Sequence, residues 1–397
     1  MSLLSHVELA PADPILGLTE KFNADTRTKK ANLGVGVYQD DTGRLPLLRC
    51  IKVAEQRLAE HPKPRGYLPI DGLGSYIADV KALVFGSTSP LLAGDRVVTV
   101  QALGGTGGLK VGADFLKRVA PDAQVLISAP SWENHLALFT RAGFQVGSYR
   151  YYDAVSREVD FEAMLADLES ATPGTIVVLH ACCHNPTGYD LDAAQWERII
   201  DAVAQRELVP FIDLAYQGFA VGLEPDAWVV RRFAERIPSF FVATSFSKSF
   251  GLYGERVGAL SIVCDDADQA NRVRSQVKIV IRTNYSNPPT HGAQLVATVL
   301  ADAELRSVWE EELSGMRLRI QQVRGQLVEY LRAAGVDDMG FIAEQRGMFS
   351  YSGLTKDQMV RLREEFAVYG TDAGRICVAA VNSGSVEYVA NAIAAVR

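Results

Sequence analysis

The sequence predicts an α/β fold, built on a mainly parallel sheet with helices over both faces and extended by a smaller α+β lobe. Three observations carry this. From about residue 95 onward, short apolar runs alternate with amphipathic stretches of helical period. Strands that are apolar throughout belong to sheets buried by helices on both sides. After about residue 300 the texture changes to one long charged amphipathic stretch followed by short strand-like pieces. The 397 residues also exceed what one hydrophobic core usually organises, so two lobes are expected.

Taken in order, the apolar runs fall at 97–100, 125–128, 175–180, 209–214, 240–245 and 257–263. Between most of them lie helical candidates at 108–119, 132–142, 161–169, 192–206 and 227–236. The long stretch at 303–333 leads into strand-like pieces at 349–351 and 375–379, with further helices to follow. The segment up to Pro46 is assigned to the smaller lobe, because 32–38 (NLGVGVY) reads as a short glycine-broken strand or loop. No internal repeat, low-complexity tract or long linker is evident.

Composition narrows the function classes. Hydrophobic residues are 48% and charged residues 22% of the chain, ordinary for a globular protein. A formal net charge of −7 gives no reason to expect nucleic acid or a membrane surface as partner. No basic segment followed by an apolar core opens the chain, and the apolar runs are too short to span a bilayer. A cytoplasmic enzyme is expected. The five cysteines (Cys50, Cys182, Cys183, Cys264 and Cys377) have no framework spacing, which points to reduced thiols. The run His180-Ala181-Cys182-Cys183-His184 invites a metal reading. Neighbouring cysteines on a strand point to opposite faces and no second ligand pair occurs, so no metal is expected.

In open α/β sheets, ligands bind beyond the carboxyl ends of the strands. Following successive predicted strands stand Gly104-Gly105-Thr106-Gly107, Ser131-Trp132, Asn185-Pro186-Thr187-Gly188, Asp213 with Tyr216, and Ser245-Phe246-Ser247-Lys248. The glycines open a helix, whose free N–H groups suit a phosphate. Thr106, Ser245 and Ser247 add hydroxyl donors, and Arg256 adds a charged fork. Trp132 can stack on an aromatic ring, and Asp213 can pair with a protonated ring nitrogen. Tyr216 and Asn185 can hydrogen-bond a phenolic oxygen. Lys248 supplies an amine for a Schiff base and then a general base. One ligand uses them all: an aromatic heterocycle carrying an aldehyde, a phenolic oxygen, a basic nitrogen and a phosphate. Each feature alone has a plainer reading, as a common turn, a core aromatic or a solvated charge. Their order at successive strand ends is what joins them.

These residues sit in blocks that resemble a known family. HNPTG (184–188), DLAYQGF (213–219), SFSKSFGLYGERVGAL (245–260) and IRTNYSNPP (281–289) look like the class I, fold-type I aminotransferases. The likeness is greatest to bacterial aromatic-amino-acid (tyrosine) enzymes and next to aspartate ones, and runs from ADPILGL (12–18) to GRICVA (374–379). It implies pyridoxal 5′-phosphate as cofactor, a seven-stranded sheet, and a homodimer with shared active sites and a mobile small domain. The implied organisation is an arm at 1–14, a small domain at 15–46 plus 312–397, and a large cofactor domain at 47–311. By the same resemblance, Lys248 is the Schiff-base lysine, Asp213 partners the ring nitrogen, and Tyr216 and Asn185 contact the phenolic oxygen. Gly105, Thr106, Ser245 and Arg256 hold the phosphate, with Tyr67 reaching in from a partner subunit. Trp132 stacks on the ring and His135 supports Asp213. Arg375 clamps the substrate α-carboxylate with Asn185 and the Gly36 backbone. Arg282, again from the partner, receives a distal carboxylate.

The implied reaction moves an amino group from an amino acid to 2-oxoglutarate. The blocks at 101–118 and 207–219, with Leu45 and Gly66, favour tyrosine or phenylalanine as donor. Thr106 and Asn287 look like the aspartate pattern, so aspartate is expected as a side substrate or as the alternative. A lyase or decarboxylase on this fold would keep Lys248 and Asp213 but need not carry Arg282. A cofactor-sensing regulator would need a DNA-binding segment ahead of the first family-like motif at Ala12, and none is expected.

Overall fold

A computed structural model describes residues 2–10 and 15–397. Its centre is a seven-stranded sheet of β1 (Val97–Leu103), β2 (Gln124–Ala129), β3 (Gln145–Arg150), β4 (Ile176–His180), β5 (Val209–Leu214), β6 (Phe240–Ser245) and β7 (Val257–Val263), in spatial order β1-β7-β6-β5-β4-β2-β3. All pairings are parallel except those of β7, which runs antiparallel to both β1 and β6. The six apolar runs match six of these strands. The number agrees with the seven strands that the resemblance implied, but no apolar run marked the seventh, β3, since Gln145, Ser148 and Arg150 interrupt any such run. It lies at the sheet edge and keeps most of its side chains in solvent, so burial imposed no hydrophobic pattern on it.

The helix α1 (Gly104–Val119) follows β1 directly and lies across β7 and β6. Two glycines let it sit close. A Cβ on Gly108 would meet the Ala259 carbonyl oxygen at 2.7 Å, and one on Gly112 would meet the Phe211 ring at 2.5 Å. α2 (Glu133–Arg141) follows β2, with Trp132 at its N-cap. Four helices lie outside the sequence expectation: Gly74–Phe85 and Ala267–Asn284 (α3) pack on the sheet, and Arg49–Glu60 and His291–Ala301 pack on each other and on the neighbouring helices.

The long amphipathic stretch is the single helix α4 (Ala303–Ala333). The Asp302 carboxylate caps it by accepting from the N–H groups of Glu304 and Leu305. Leu305, Trp309, Leu313, Met316, Ile320, Val323 and Leu327 recur at three- and four-residue spacing and are buried. Trp309 stacks on Phe250 with ring centres 4.3 Å apart, and its indole N–H donates to the Ser249 carbonyl at 2.7 Å. Beyond α4 the chain pairs with its own beginning: Ala31–Asn32 runs parallel to Val368–Tyr369, and Phe349–Tyr351 runs antiparallel to Arg375–Cys377. The predicted strand at 375–379 is therefore shorter, and turns into a 3-10 helix at Val378–Ala380. Of the expected arm, 11–14 lie outside the described residues, and Leu3–His6 form an exposed 3-10 turn.

One correction concerns the cysteines. β4 ends at His180, so Cys182 and Cys183 are not on a strand, and Cys183 has φ +52°. Strand alternation therefore does not apply to them. Both are buried free thiols.

Gly258 on β7 is where sheet and glycine turn touch. A Cβ there would meet the Gly104 carbonyl carbon at 2.3 Å, its oxygen at 2.5 Å and the Thr244 oxygen at 2.7 Å. Backbone cannot swing aside as a side chain can, so Gly258→Ala should lose about 1–3 kcal/mol of stability through overpacking. Urea unfolding measures this, and an unshifted midpoint would show that the turn yields freely.

Candidate active site

The strand ends and the loops after them enclose a cavity of about 560 Å³. Gly36, Gly105, Thr106, Trp132, Asn185, Asp213, Tyr216, Ser245, Ser247, Lys248, Arg256 and Arg375 all line it. The fold thus gathers twelve of the fourteen residues expected in the site, drawn from five strand ends, the N-terminal segment that carries Gly36 and the short strand that begins at Arg375.

At one end lies an anion cradle. Gly104 has φ +70° and its N–H donates to the Arg256 carbonyl at 3.0 Å, which seats the first turn of α1 against the loop after Lys248. Gly105 lies so near Ser245 that a Cβ would stand 3.1 Å from the serine's own. Arg256, itself at φ +54°, donates to the Tyr253 carbonyl at 3.0 Å and to Ser247 Oγ at 3.4 Å. Unpaired helix N–H groups, two buried serines and a guanidinium make this end electropositive.

In the floor, Asp213 ends β5 and its Oδ2 is 2.9 Å from His135 Nε2, whose ring Nδ1 is 3.0 Å from Ser131 Oγ. Burial acts to raise the Asp213 pKa, but His135, His180 and Lys248 outweigh it and hold the carboxyl below its ordinary range. Asp213 therefore stays ionised although it is only 5% exposed. His180 has both ring nitrogens buried without a hydrogen-bond partner among the described residues, and burial, then His135, push its pKa down to about 3. His135, His180 and Asp213 bring potential metal ligands within 4.8 Å of one another. Two of those atoms are already engaged in the His135–Asp213 hydrogen bond.

Lys248 stands in the middle. Enclosure by protein pushes its pKa down to about 8; Asp213 opposes that shift, and Arg256 and Arg375 add to it. Its Nζ lies 4.9 Å from the centre of the Tyr216 ring. Burial pushes the Tyr216 phenol up, so it keeps its proton and remains a donor. At the far end, the Arg375 guanidinium is 1% exposed. It donates to Asn185 Oδ1 at 3.1 Å and to the Gly34 carbonyl at 2.8 Å, and packs 4.3 Å from the Phe349 ring centre.

Two expected residues lie outside the cavity of the single chain. Tyr67 is 96% exposed, and Arg282, exposed on the last turn of α3, donates to Ser286 Oγ. Leu45 and Gly66 are also exposed and do not line it, while Asn287 donates to the Leu68 carbonyl at 3.3 Å. The sequence reading did not include several wall residues: Ile15, Val35, Val37, Leu109, Tyr253 and Phe349. Ile15, Leu109 and Tyr253 fall inside blocks that carry the resemblance, and the Tyr253 hydroxyl accepts from the Tyr38 N–H at 2.9 Å. The others are apolar residues that look like core in any single sequence.

The lowered Lys248 pKa has a consequence for stability. The folded chain disfavours the charged form, so the fold is penalised at a pH below about 8 and relieved as the pH rises toward the ordinary 10.5. For the cofactor-free chain, the stability advantage of Lys248→Met over the native sequence should be largest at pH 7 and shrink by pH 10. Denaturant titrations at the two pH values test it, and an advantage that grew with pH would contradict the assignment.

The geometry agrees with the relatives. Residues 28–393 match the family model for aminotransferase class I and II. The chain is 59% identical over 394 residues to an aspartate aminotransferase of Pseudomonas aeruginosa, covering 99% of each chain. It is 47% identical over 396 residues to an aromatic-amino-acid aminotransferase of Escherichia coli, covering 99% of this chain and 100% of the other. The crystal structure of an aromatic-amino-acid aminotransferase from Burkholderia pseudomallei, covalently bound to pyridoxal phosphate, superposes with a TM-score of 0.97 at 61% identity over the whole of both chains. With a model match across nearly its full length and relatives this similar, the chain belongs to the class I and II aminotransferases.

Proposed function

We propose that this enzyme transfers the amino group of an aromatic L-amino acid, tyrosine or phenylalanine, to 2-oxoglutarate with pyridoxal 5′-phosphate as cofactor, and accepts aspartate as a lesser donor. One observation carries the reading. A single cavity joins an anion cradle, an ionised buried carboxylate, a lysine with a pKa near 8 and a buried guanidinium, with apolar side chains between them. The chemistry of that donor set fits the cofactor group by group.

Bound there, the cofactor would supply an electron sink and carry the amino group between substrates. The chain's own residues do the rest. Gly105, Thr106, Ser245, Ser247 and Arg256 would hold the phosphate, and Trp132 would cover one face of the ring. Asp213, kept ionised by His135, would hold a proton on the ring nitrogen. Tyr216 and Asn185 would donate to the phenolic oxygen. Lys248 would hold the cofactor covalently through its amine. Once released, that amine would take the proton from the substrate Cα, which its lowered pKa suits near neutral pH. Arg375 would grip the α-carboxylate while Gly36 closes over it, leaving Cα free above Lys248. Removing Arg375 should weaken binding by about 2–5 kcal/mol, as for a buried charge pair deprived of one member.

The exposure of Tyr67 and Arg282 supports a homodimer in which each subunit lends these two side chains to the other's site. The pairing of residues near 31 with those near 368 supports a small domain of 15–46 plus 312–397 closing on a large domain of 47–311. Among the described residues no helix is long and apolar enough to cross a membrane, and we place the enzyme in the cytoplasm. The apolar wall of Ile15, Val35, Val37 and Phe349 supports an aromatic donor, whereas the 59% identical Pseudomonas aeruginosa relative supports the aspartate reading.

Measured side by side with 2-oxoglutarate, kcat/KM should be higher for tyrosine or phenylalanine than for aspartate. An aspartate advantage of about a hundredfold, roughly 2.7 kcal/mol, would assign the enzyme to aspartate instead. Lys248→Ala should still bind the cofactor and lose nearly all turnover. Retained turnover would show that another group moves the proton.

A further inference from the structure

Arg324 lies on the buried side of α4 and is only 1% exposed. Its Nη1 donates to the Ile342 carbonyl at 3.1 Å. Its Nη2 donates to the carbonyls of Gly347 at 2.9 Å, Arg346 at 3.4 Å and Phe349. Among the described residues no carboxylate pairs with it; its titratable neighbours are Cys183, Cys377 and Tyr189, and burial pushes its pKa down to about 10.

A buried guanidinium without a counter-ion is costly to desolvate. What this one achieves is a fixed path for 342–349, since four carbonyls of one loop converge on a single planar fork. The loop is also tied toward the site, where the Arg346 N–H donates to the Gly188 carbonyl at 2.6 Å, in the turn that carries Asn185. Phe349 is the end of that path. Its ring lies 4.3 Å from the Arg375 guanidinium and meets Tyr216 edge-on at 6.1 Å. It also lies so near Gly36 that a Cβ there would come within 2.5 Å. Among the described residues the buried Arg375 Nε has no hydrogen-bond partner, and the guanidinium is held by its two Nη bonds and by this ring.

We propose that Arg324 is a positioning residue for amino-acid binding: by gathering the carbonyls of 342–349 it holds the Phe349 ring against Arg375 and keeps that guanidinium aimed at the substrate carboxylate. The inference rests on the reading of Arg375 as the carboxylate clamp. It concerns affinity and not proton transfer, because neither Arg324 nor Phe349 carries a group that exchanges a proton with substrate.

The test uses the cofactor-loaded enzyme and the half-reaction with the amino donor, followed by cofactor absorbance in single turnover. This separates the donor's dissociation constant from the saturating rate. Arg324→Met should keep its cofactor, melt below the parent because four carbonyls lose their donor, hold the saturating rate within about threefold, and raise the dissociation constant about tenfold. Arg324→Lys should recover part of the affinity. Phe349→Ala should weaken binding similarly, and adding Arg324→Met to it should do little more. The proposal is overturned if folded Arg324→Met binds the donor normally, or if its effect simply adds to that of Phe349→Ala. Should Arg324→Met not fold, Arg324→Lys and Phe349→Ala decide, and normal donor affinity in Phe349→Ala would sink the idea. Arg375→Lys is the control: normal affinity there would overturn the clamp reading itself. Weakened binding there with an unaffected Arg324→Met would overturn only the role of Arg324.

Discussion

The site depends on one ionised carboxylate buried in the floor of the cavity. Asp213 sits near the end of a central strand, where burial alone would raise its pKa. Its charge survives because His135 is held on α2 with one ring nitrogen against Ser131 and the other against the carboxylate. The order of the sheet makes that meeting possible: β5 delivers Asp213, and β2, two strands away, leads into the turn that starts α2. A fixed negative charge in the floor then opposes the enclosure effect on Lys248, which two nearby arginines reinforce, and the lysine settles between a free amine and an ammonium. These groups form a single electrostatic unit.

Around that unit the fold supplies two anion sites of different construction. The cradle near α1 is made of helix N–H groups, two hydroxyls and an arginine that is itself exposed, so it can accept a doubly charged group whose far side remains hydrated. The Arg375 site is dry, with the guanidinium oriented by a carbonyl, an amide oxygen and a phenyl ring. A charge enclosed in this way is left with little alternative solvation, so a carboxylate entering there gains more than it would at a surface arginine.

Much of this was legible in the sequence because the chemistry follows the strands. Five of the six apolar runs led into a polar motif, and the rule that ligands sit beyond strand ends turned a list of motifs into one cavity. What the sequence hid had physical causes. The strand at Gln145–Arg150 is an edge strand with little buried surface, so it lacked the pattern that burial imposes. The wall residues Val35, Val37, Leu109 and Phe349 are apolar, and an apolar side chain facing a cavity has the same sequence signature as one facing the core. Cys182 and Cys183 were read as strand residues although the apolar run was placed only as far as residue 180, where the strand does end. Arg324 was missed for a related reason: within a charged helix, nothing distinguishes the one arginine that turns inward.

The helix Ala303–Ala333 has a mechanical consequence. Trp309, near one end, is bonded to the loop that follows Lys248, and Arg324, fifteen residues on, grips the loop that ends at Phe349. At 1.5 Å per residue those anchors are about 22 Å apart along one rod. The two halves of the cavity are thus yoked by a strut, and neither can travel freely while the strut stays straight. Relative motion has to be taken up as flexure between the anchors. Gly315 lies in that span on the exposed side of the rod, where a Cβ would meet no other atom within 4 Å.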